Sequence, residues 1–234
     1  MNTSIRDASN AQQVVVQDNV FVARVYWWMG IGLGITAGVS MLVAQSGELV
    51  QAIFGNPILL IVLFLAQLGM VVGIGVAARR ASPALAASMF VAYAGMLGLT
   101  MSSIFLVYTS SSIASTFFVS GGMFGAMSLY GWTTKRDLTG IGSLCFMALI
   151  GIILASIVNI FVGSTALGWL ITYAGVAIFV GLTAYDTQKI KRIGASVDSE
   201  GAVGRGLAIQ GALALYLDFV NLFLFLLRLF GRRK

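Results

Sequence analysis

The sequence predicts an all-α membrane protein, a bundle of seven transmembrane helices, and three observations carry that prediction. Of the 234 residues, 59% are hydrophobic and only 9% are charged, where a soluble domain carries about 25% charged residues. The apolar residues gather into seven runs, each near the roughly 20 residues that a helix needs to cross a ~30 Å hydrocarbon core. The basic residues fall in alternate loops and are absent from the loops between.

The seven runs follow one another closely. The first covers residues 25–45, and the second runs from Pro57, at a favourable helix-start position, to Ala78. The third covers Ala84 to about Tyr108, the fourth about Ile113 to Trp132, and the fifth Ile141–Val162. The sixth runs from about Leu167 to Asp186, and the last from about Gly206 to Phe230. Residues 1–20 form a polar segment with Arg6, Asp7 and Asp18. They lack the apolar stretch of a cleavable signal, and the first apolar run is long enough to remain as a membrane helix. Residues 21–231 read as a single transmembrane domain, and residues 232–234 as a basic tail.

Charge sets the expected orientation. Arg6 and Arg24 precede the first run, and alternate loops hold Arg79 with Arg80, Lys135 with Arg136, and Lys189, Lys191, Arg192 and Arg205. The loops near 46–56, 106–112 and 163–166 hold no Lys or Arg, so the count is ten against none. Cytoplasmic loops are the basic ones, which puts the N-terminus of this multi-pass protein in the cytoplasm. The tail runs against this rule. If the last run crosses fully, Arg232, Arg233 and Lys234 end outside; if it is re-entrant, the tail returns.

Composition also excludes chemistry. There is no histidine, and Cys145 is the only cysteine. Serine–histidine and cysteine–histidine catalysis, histidine-based zinc and haem sites, cysteine-rich metal sites and an intramolecular disulfide are all ruled out. The net charge of +6 sits in short loops rather than in a patch, which argues against nucleic acid as a partner. Gly30, Gly34 and Gly38, Gly69 with Gly73, and Gly121 with Gly125 are spaced four apart, the spacing at which small residues let helix backbones approach in lipid.

Of the eight acidic residues, Asp7, Asp18, Asp198, Glu200, Glu48 and Asp137 read as solvated groups in polar segments and loops. Asp186 and Asp218 remain. Asp218 lies twelve residues after Gly206, about 18 Å into the last helix. An aspartate at that depth costs about 2.5–3.5 kcal/mol, so it should face the bundle interior or water. Asn221 shares its face and is placed to hydrogen-bond to it, whereas Arg228 is about 15 Å along the axis and too far away. Asp186 closes the sixth run at the cytoplasmic edge, where the plain alternative is an interfacial carboxylate paired with Lys189. The depths of the two acids match if the last helix starts several residues after Gly206. Should they meet, repulsion and desolvation disfavour having both ionised, and the pair titrates as a unit around a shared proton. Losing that proton drives the helices apart, which makes a pH-dependent gate. Arg79 and Arg80 end the second run on the same side and can snorkel towards a carboxylate, or serve as topology determinants among the headgroups. Gln67, Thr100, Ser102, Ser103 and Asn159 either line a pathway or bond to neighbouring helices.

The stretch Ala184-Tyr185-Asp186-Thr187-Gln188, followed by Leu215-Tyr216-Leu217-Asp218-Phe219-Val220-Asn221-Leu222-Phe223 and Leu226-Leu227-Arg228, resembles the signature of the Bax inhibitor-1 family. Gly98-Leu99-Thr100 and Thr134-Lys135-Arg136-Asp137-Leu138 also look like family features. The match covers roughly residues 20–231, and the short tail and loops resemble the bacterial branch. The resemblance implies seven helices with the last at the centre. It implies a proton-sensitive calcium leak whose gate and pH sensor match Asp186 and Asp218, with Tyr185, Tyr216 and Asn221 as supporting polar groups. A basic latch ends the second helix; Arg80 matches best, with Arg79 next. The partners implied are the bilayer, protons and Ca²⁺, which would meet Asp186 and Asp218 transiently, with no cofactor and no preformed metal cage. Two rival readings stand beside it. One is a non-conducting adaptor that regulates other membrane proteins. The other is an intramembrane aspartyl protease, which Tyr185-Asp186 suits but Leu215-Tyr216-Leu217-Asp218 does not, since the second motif should read Gly-x-Gly-Asp.

Overall fold

A computed structural model describes residues 2–234, with side chains from residue 20 onward. The expected solvation of Arg6, Asp7 and Asp18 therefore falls outside the described side chains. The helices are α1 (Asn2–Gln45), α2 (Gly47–Phe54), α3 (Pro57–Arg79), α4 (Pro83–Met101), α5 (Ser103–Val107), α6 (Ser110–Thr133), α7 (Thr139–Val162), α8 (Thr165–Gly194) and α9 (Ala202–Phe230). Seven segments are long and apolar enough to cross a membrane: Val20–Gln45, Pro57–Arg79, Pro83–Val107, Ser110–Thr133, Thr139–Val162, Thr165–Gly194 and Ala202–Phe230. The protein is an all-α membrane protein with one span for each predicted run.

Local chemistry sets the helix ends. Asn56 Oδ1 accepts from the amides of Ile58 and Leu59 at 3.1 and 3.2 Å, with Pro57 inside the first turn, the arrangement that satisfies orphan amides at a helix start. Thr109 caps α6 through Ser112 N. α7 stops at Gly163, whose φ of 66° is left-handed, a conformation glycine adopts without steric cost. The third run is not one helix: it breaks at Ser102 and resumes as α5. The expected outer loop at 46–56 holds α2, with Glu48 in its first turn.

The chain divides into two compact units, and both α8 and α9 belong partly to each. Unit 1 comprises Met1–Ser103 with Ile190–Ala214, and unit 2 comprises Ile104–Lys189 with Leu215–Lys234. In unit 1, α1 and α3 both pack on α4. Thr36 Oγ1 and Ser40 Oγ of α1 donate to the carbonyls of Ala94 and Gly98, each at 2.9 Å. Gln67 of α3 donates to Met96 O at 3.2 Å. Thr100, Ser102 and Ser103 bond back to carbonyls three residues earlier. Thr36, Ser40 and Gln67 thus bond across helices, and Thr100, Ser102 and Ser103 donate within their own segment. Arg24 pairs with Glu200 at 2.9 Å and donates to Ser199 O, which puts the start of the first span beside the loop before α9.

The glycine stripes do not do what their spacing predicts. Gly30, Gly34, Gly38, Gly69, Gly121 and Gly125 face open space, and at Gly73 only the flexible end of Met89 approaches. Backbones approach instead at isolated glycines. Gly98 lies against Thr36 O, Gly206 against Ala78 O, and in unit 2 Gly131 lies against Ala184 O. Spacing marks a face on which backbones can approach, but which face meets a neighbour is set by the whole helix.

In unit 2 the tail resolves the question left by the charge rule. α9 is one uninterrupted helix of 29 residues, about 43 Å long and sufficient for a full span. Past its end, Tyr108 and Arg233 form an antiparallel bridge. Thr109 N donates to Arg232 O, Lys234 N donates to Val107 O, and Arg232 N donates to Ser112 Oγ, all at 3.0 Å. The last run is not re-entrant, because its tail is tied to the loop that follows the third span. α9 is also the most buried span, with 56% of its most apolar window enclosed, against 11% for α3 and 0% for α7.

Candidate functional site

Asp186 and Asp218 both belong to unit 2, and helix register brings them face to face. The rings of Phe179 on α8 and Phe225 on α9 meet with centroids 5.9 Å apart. Asp186 lies seven residues beyond Phe179, and Asp218 lies seven residues before Phe225. Seven residues are about two turns of the same helix face, and the two helices run antiparallel, so each aspartate stands opposite the other. The two carboxylates lie within electrostatic reach of each other.

The condition foreseen from sequence, a late start of the last helix, is not met: α9 begins at Ala202, which lengthens the run to Asp218, and it is the continuation of α8 past Asp186 to Gly194 that moves the other acid inward. Asp186 therefore stands within a helix, with two further turns beyond it. It is half-buried, whereas Asp218 is 5% exposed. Asp218 Oδ2 has no hydrogen-bond partner among the described residues. The expected Asn221–Asp218 bond is not the one formed: Asn221 Nδ2 donates to Leu217 O at 2.8 Å, closing on its own helix. Lys189 lies within electrostatic reach of Asp186, and its Nζ stands 5.8 Å from the Tyr185 ring centroid.

Each neighbour of Asp186 in its motif anchors α8 to another element of unit 2. The Ala184 carbonyl is met by Gly131 of α6, and the Tyr185 ring lies on Gly142 of α7; any side chain at either glycine would collide. Thr187 Oγ1 donates to Ser128 Oγ at 3.4 Å. Gln188 makes two bonds to the α6–α7 loop, accepting from Leu138 N at 2.9 Å and donating to Arg136 O at 2.8 Å. The Asp218 motif anchors α9 by rings. Phe219 meets Phe117 and Phe124 edge-on at 5.3 and 5.5 Å, and Phe223 meets Phe117 at 6.2 Å. Tyr216 is fully buried.

Sequence reasoning singled out the two acids but missed Gln188 as a clamp and missed Cys145, which lies against Gly181 and within electrostatic reach of Asp218. A glutamine two residues from an intramembrane acid was the available signal for the clamp. Arg79 and Arg80 fall in the other unit of this division. Arg79 ends α3, Arg80 caps it, and both are exposed members of unit 1.

Comparison with known proteins follows the same signature. The inner membrane protein YbhL of Escherichia coli is 53% identical over 215 residues, 92% of each chain. An uncharacterized protein of Deinococcus radiodurans is 42% identical over 226 residues, covering 97% of this chain and 96% of that one. An uncharacterized protein of Borreliella burgdorferi is 40% identical over 228 residues, 97% of this chain and 98% of its own. The family described as inhibitor of apoptosis-promoting Bax1 matches residues 18–234, which takes in every span and both aspartates, and the chain therefore belongs to the Bax inhibitor-1 family.

Proposed function

We propose that the protein is a pH-sensitive calcium leak of a bacterial inner membrane, N-terminus in the cytoplasm, with the Asp186–Asp218 pair as its gate. The observation that carries this reading is the Asp218 carboxylate: almost fully buried, opposed by a second carboxylate, and with Oδ2 unpartnered among the described residues. A carboxylate that serves only packing in a membrane span is matched by a donor or a cation. One left unmatched beside another acid is suited to sharing a proton or meeting a passing cation. A shared proton joins α8 to α9. When it leaves, two anions face each other at low dielectric, the helices are pushed apart and a divalent cation is attracted. Two carboxylates offer fewer oxygens than the roughly six to eight of a calcium site, which suits passage rather than storage. Location in the inner membrane follows the relative YbhL, so named. The exposed Arg80 is the proposed latch.

Calcium flux into liposomes holding the purified chain, followed between about pH 6 and pH 8, tests the reading. Asp186→Asn with Asp218→Asn keeps size and hydrogen bonding but removes ionisation, and its pH response is expected to vanish. An unchanged pH–flux curve would remove the pair as sensor. Arg80→Ala is expected to raise basal leak and move the midpoint to higher pH, because a latch cation acting on the pair would favour ionised carboxylates; Arg79→Ala is the control. A second reading, a non-conducting adaptor, draws on α7, none of whose most apolar window is buried and whose outer face is free for a partner span. A flat wild-type trace, the same with and without protein, selects the adaptor.

A further inference from the structure

The other end of unit 2 gathers charge of one sign. Four of the fourteen basic residues, Arg228, Arg232, Arg233 and Lys234, lie within the last seven positions, and all four are exposed. The segments around them, residues 104–112, 155–170 and 219–234, contain no Asp or Glu. Arg228, Arg232 and Arg233 form no ion pair with a described residue. Lys234 Nζ is committed to Phe105 O at 2.7 Å.

The charges are held in place. Backbone bonds to Val107, Thr109 and Ser112 fix the tail. Gly168, at the α7–α8 corner, has two nitrogen donors over it: Arg228 Nη2 and Asn159 Nδ2 lie 2.8 and 3.6 Å from where a Cβ would stand. Asn159 Oδ1 accepts from Ser164 N at 2.9 Å, so the donors meet there without a competing acceptor from that side chain. Trp169 and Tyr173 stack at 6.0 Å beside this corner and are exposed, as interfacial aromatic residues are. Leu170 and Phe230, two residues along the chain from Gly168 and Arg228 respectively, add apolar surface and are 63% and 61% exposed.

We infer that this end of unit 2 binds the headgroup of an anionic phospholipid, the phosphodiester lying among the arginines and the acyl chains along Leu170 and Phe230. The apolar flanks select a lipid over free phosphate, and the absence of carboxylates selects an anionic headgroup over a zwitterionic one. The inference stands apart from the leak reading and from the aspartate pair.

The test is the melting temperature of the purified full chain in detergent, titrated with phosphatidylglycerol, with phosphatidylcholine and with inorganic phosphate. Phosphatidylglycerol alone is expected to raise it. In the Arg228→Gln, Arg232→Gln, Arg233→Gln variant the half-saturating phosphatidylglycerol concentration should rise about a hundredfold, roughly fivefold per cation removed. Lys at the same three positions should keep most of the response. For the wild type, added salt should raise the half-saturating concentration steeply, a measurement that holds even if the glutamine variant fails to fold. Equal responses of wild type and glutamine variant, equal responses to the two lipids, the same stabilisation from inorganic phosphate, or a salt-independent titration would each overturn it.

Discussion

The two halves of α9 are held by opposite means. From Ala202 to Ala214 the helix is built of small residues: Ala208 and Ala212 have no exposure, Gly206 lies against the Ala78 carbonyl, and Gly211 lies against Val25 and Ile190. From Leu215 onward it is built of rings, with Phe219, Phe223 and Phe225 set edge-on or tilted against Phe117, Phe124 and Phe179. Backbone-to-backbone contact leaves no side chain to rearrange, so any shift there is a collision. Ring contacts are spread over larger separations and change rotamer more readily. Asp218, whose Oδ2 has no hydrogen-bond partner among the described residues, sits in the ring-packed half. A gate that moves would move there, while the small-residue half holds its register.

The largest test of that contrast is Gly206→Leu. A Cβ at Gly206 would stand 2.7 Å from the Ala78 carbonyl oxygen, and overpacking of this kind should cost about 3 kcal/mol or more, read as loss of the folded peak in size-exclusion chromatography and a collapsed melting temperature. Next comes Gln188→Leu, which strips the α6–α7 loop of two bonds and leaves Leu138 N and Arg136 O without that partner. About 2 kcal/mol is expected, with the chain still folded, and hydrogen exchange should quicken at residues 136–138 but not around Gly206. Faster exchange around Gly206 as well would mean the halves are not independent. The smallest is Gly34→Ala. Nothing stands within 4 Å of the Cβ, so the melting temperature should stay put; a marked fall would show that the stripe meets a partner in the membrane.

The spans were legible because hydrocarbon thickness is a ruler that composition alone can be held against. Their number, and the alternation that sets Arg24 and Glu200 side by side, came from counting apolar residues and cations. The two aspartates stood out because so few acids were left once the loops had been assigned. What composition did not carry was rotation about each helix axis. The Gly30–Gly34–Gly38 stripe is legible as a stripe, but its direction depends on how every other residue of α1 packs. Asn221 illustrates the same limit at one residue: it shares a face with Asp218, yet its amide turns to Leu217 O one turn back on its own helix, a local bond that competes with any bond to a neighbour. Helix ends were also misjudged where charge continued a helix past the apolar run, as Lys189, Lys191 and Arg192 do in α8.

That continuation has a mechanical meaning. The eight residues beyond Asp186, up to Gly194, are helix, a stiff rod of about 12 Å, where a flexible linker would have begun had α8 stopped at the acid. A push or a torque delivered near Arg192 would reach Asp186 through helix, as through a crank, instead of being lost in a slack joint. Gln188 and Thr187 sit close to the fulcrum, and the charged far end projects towards whatever the loop meets.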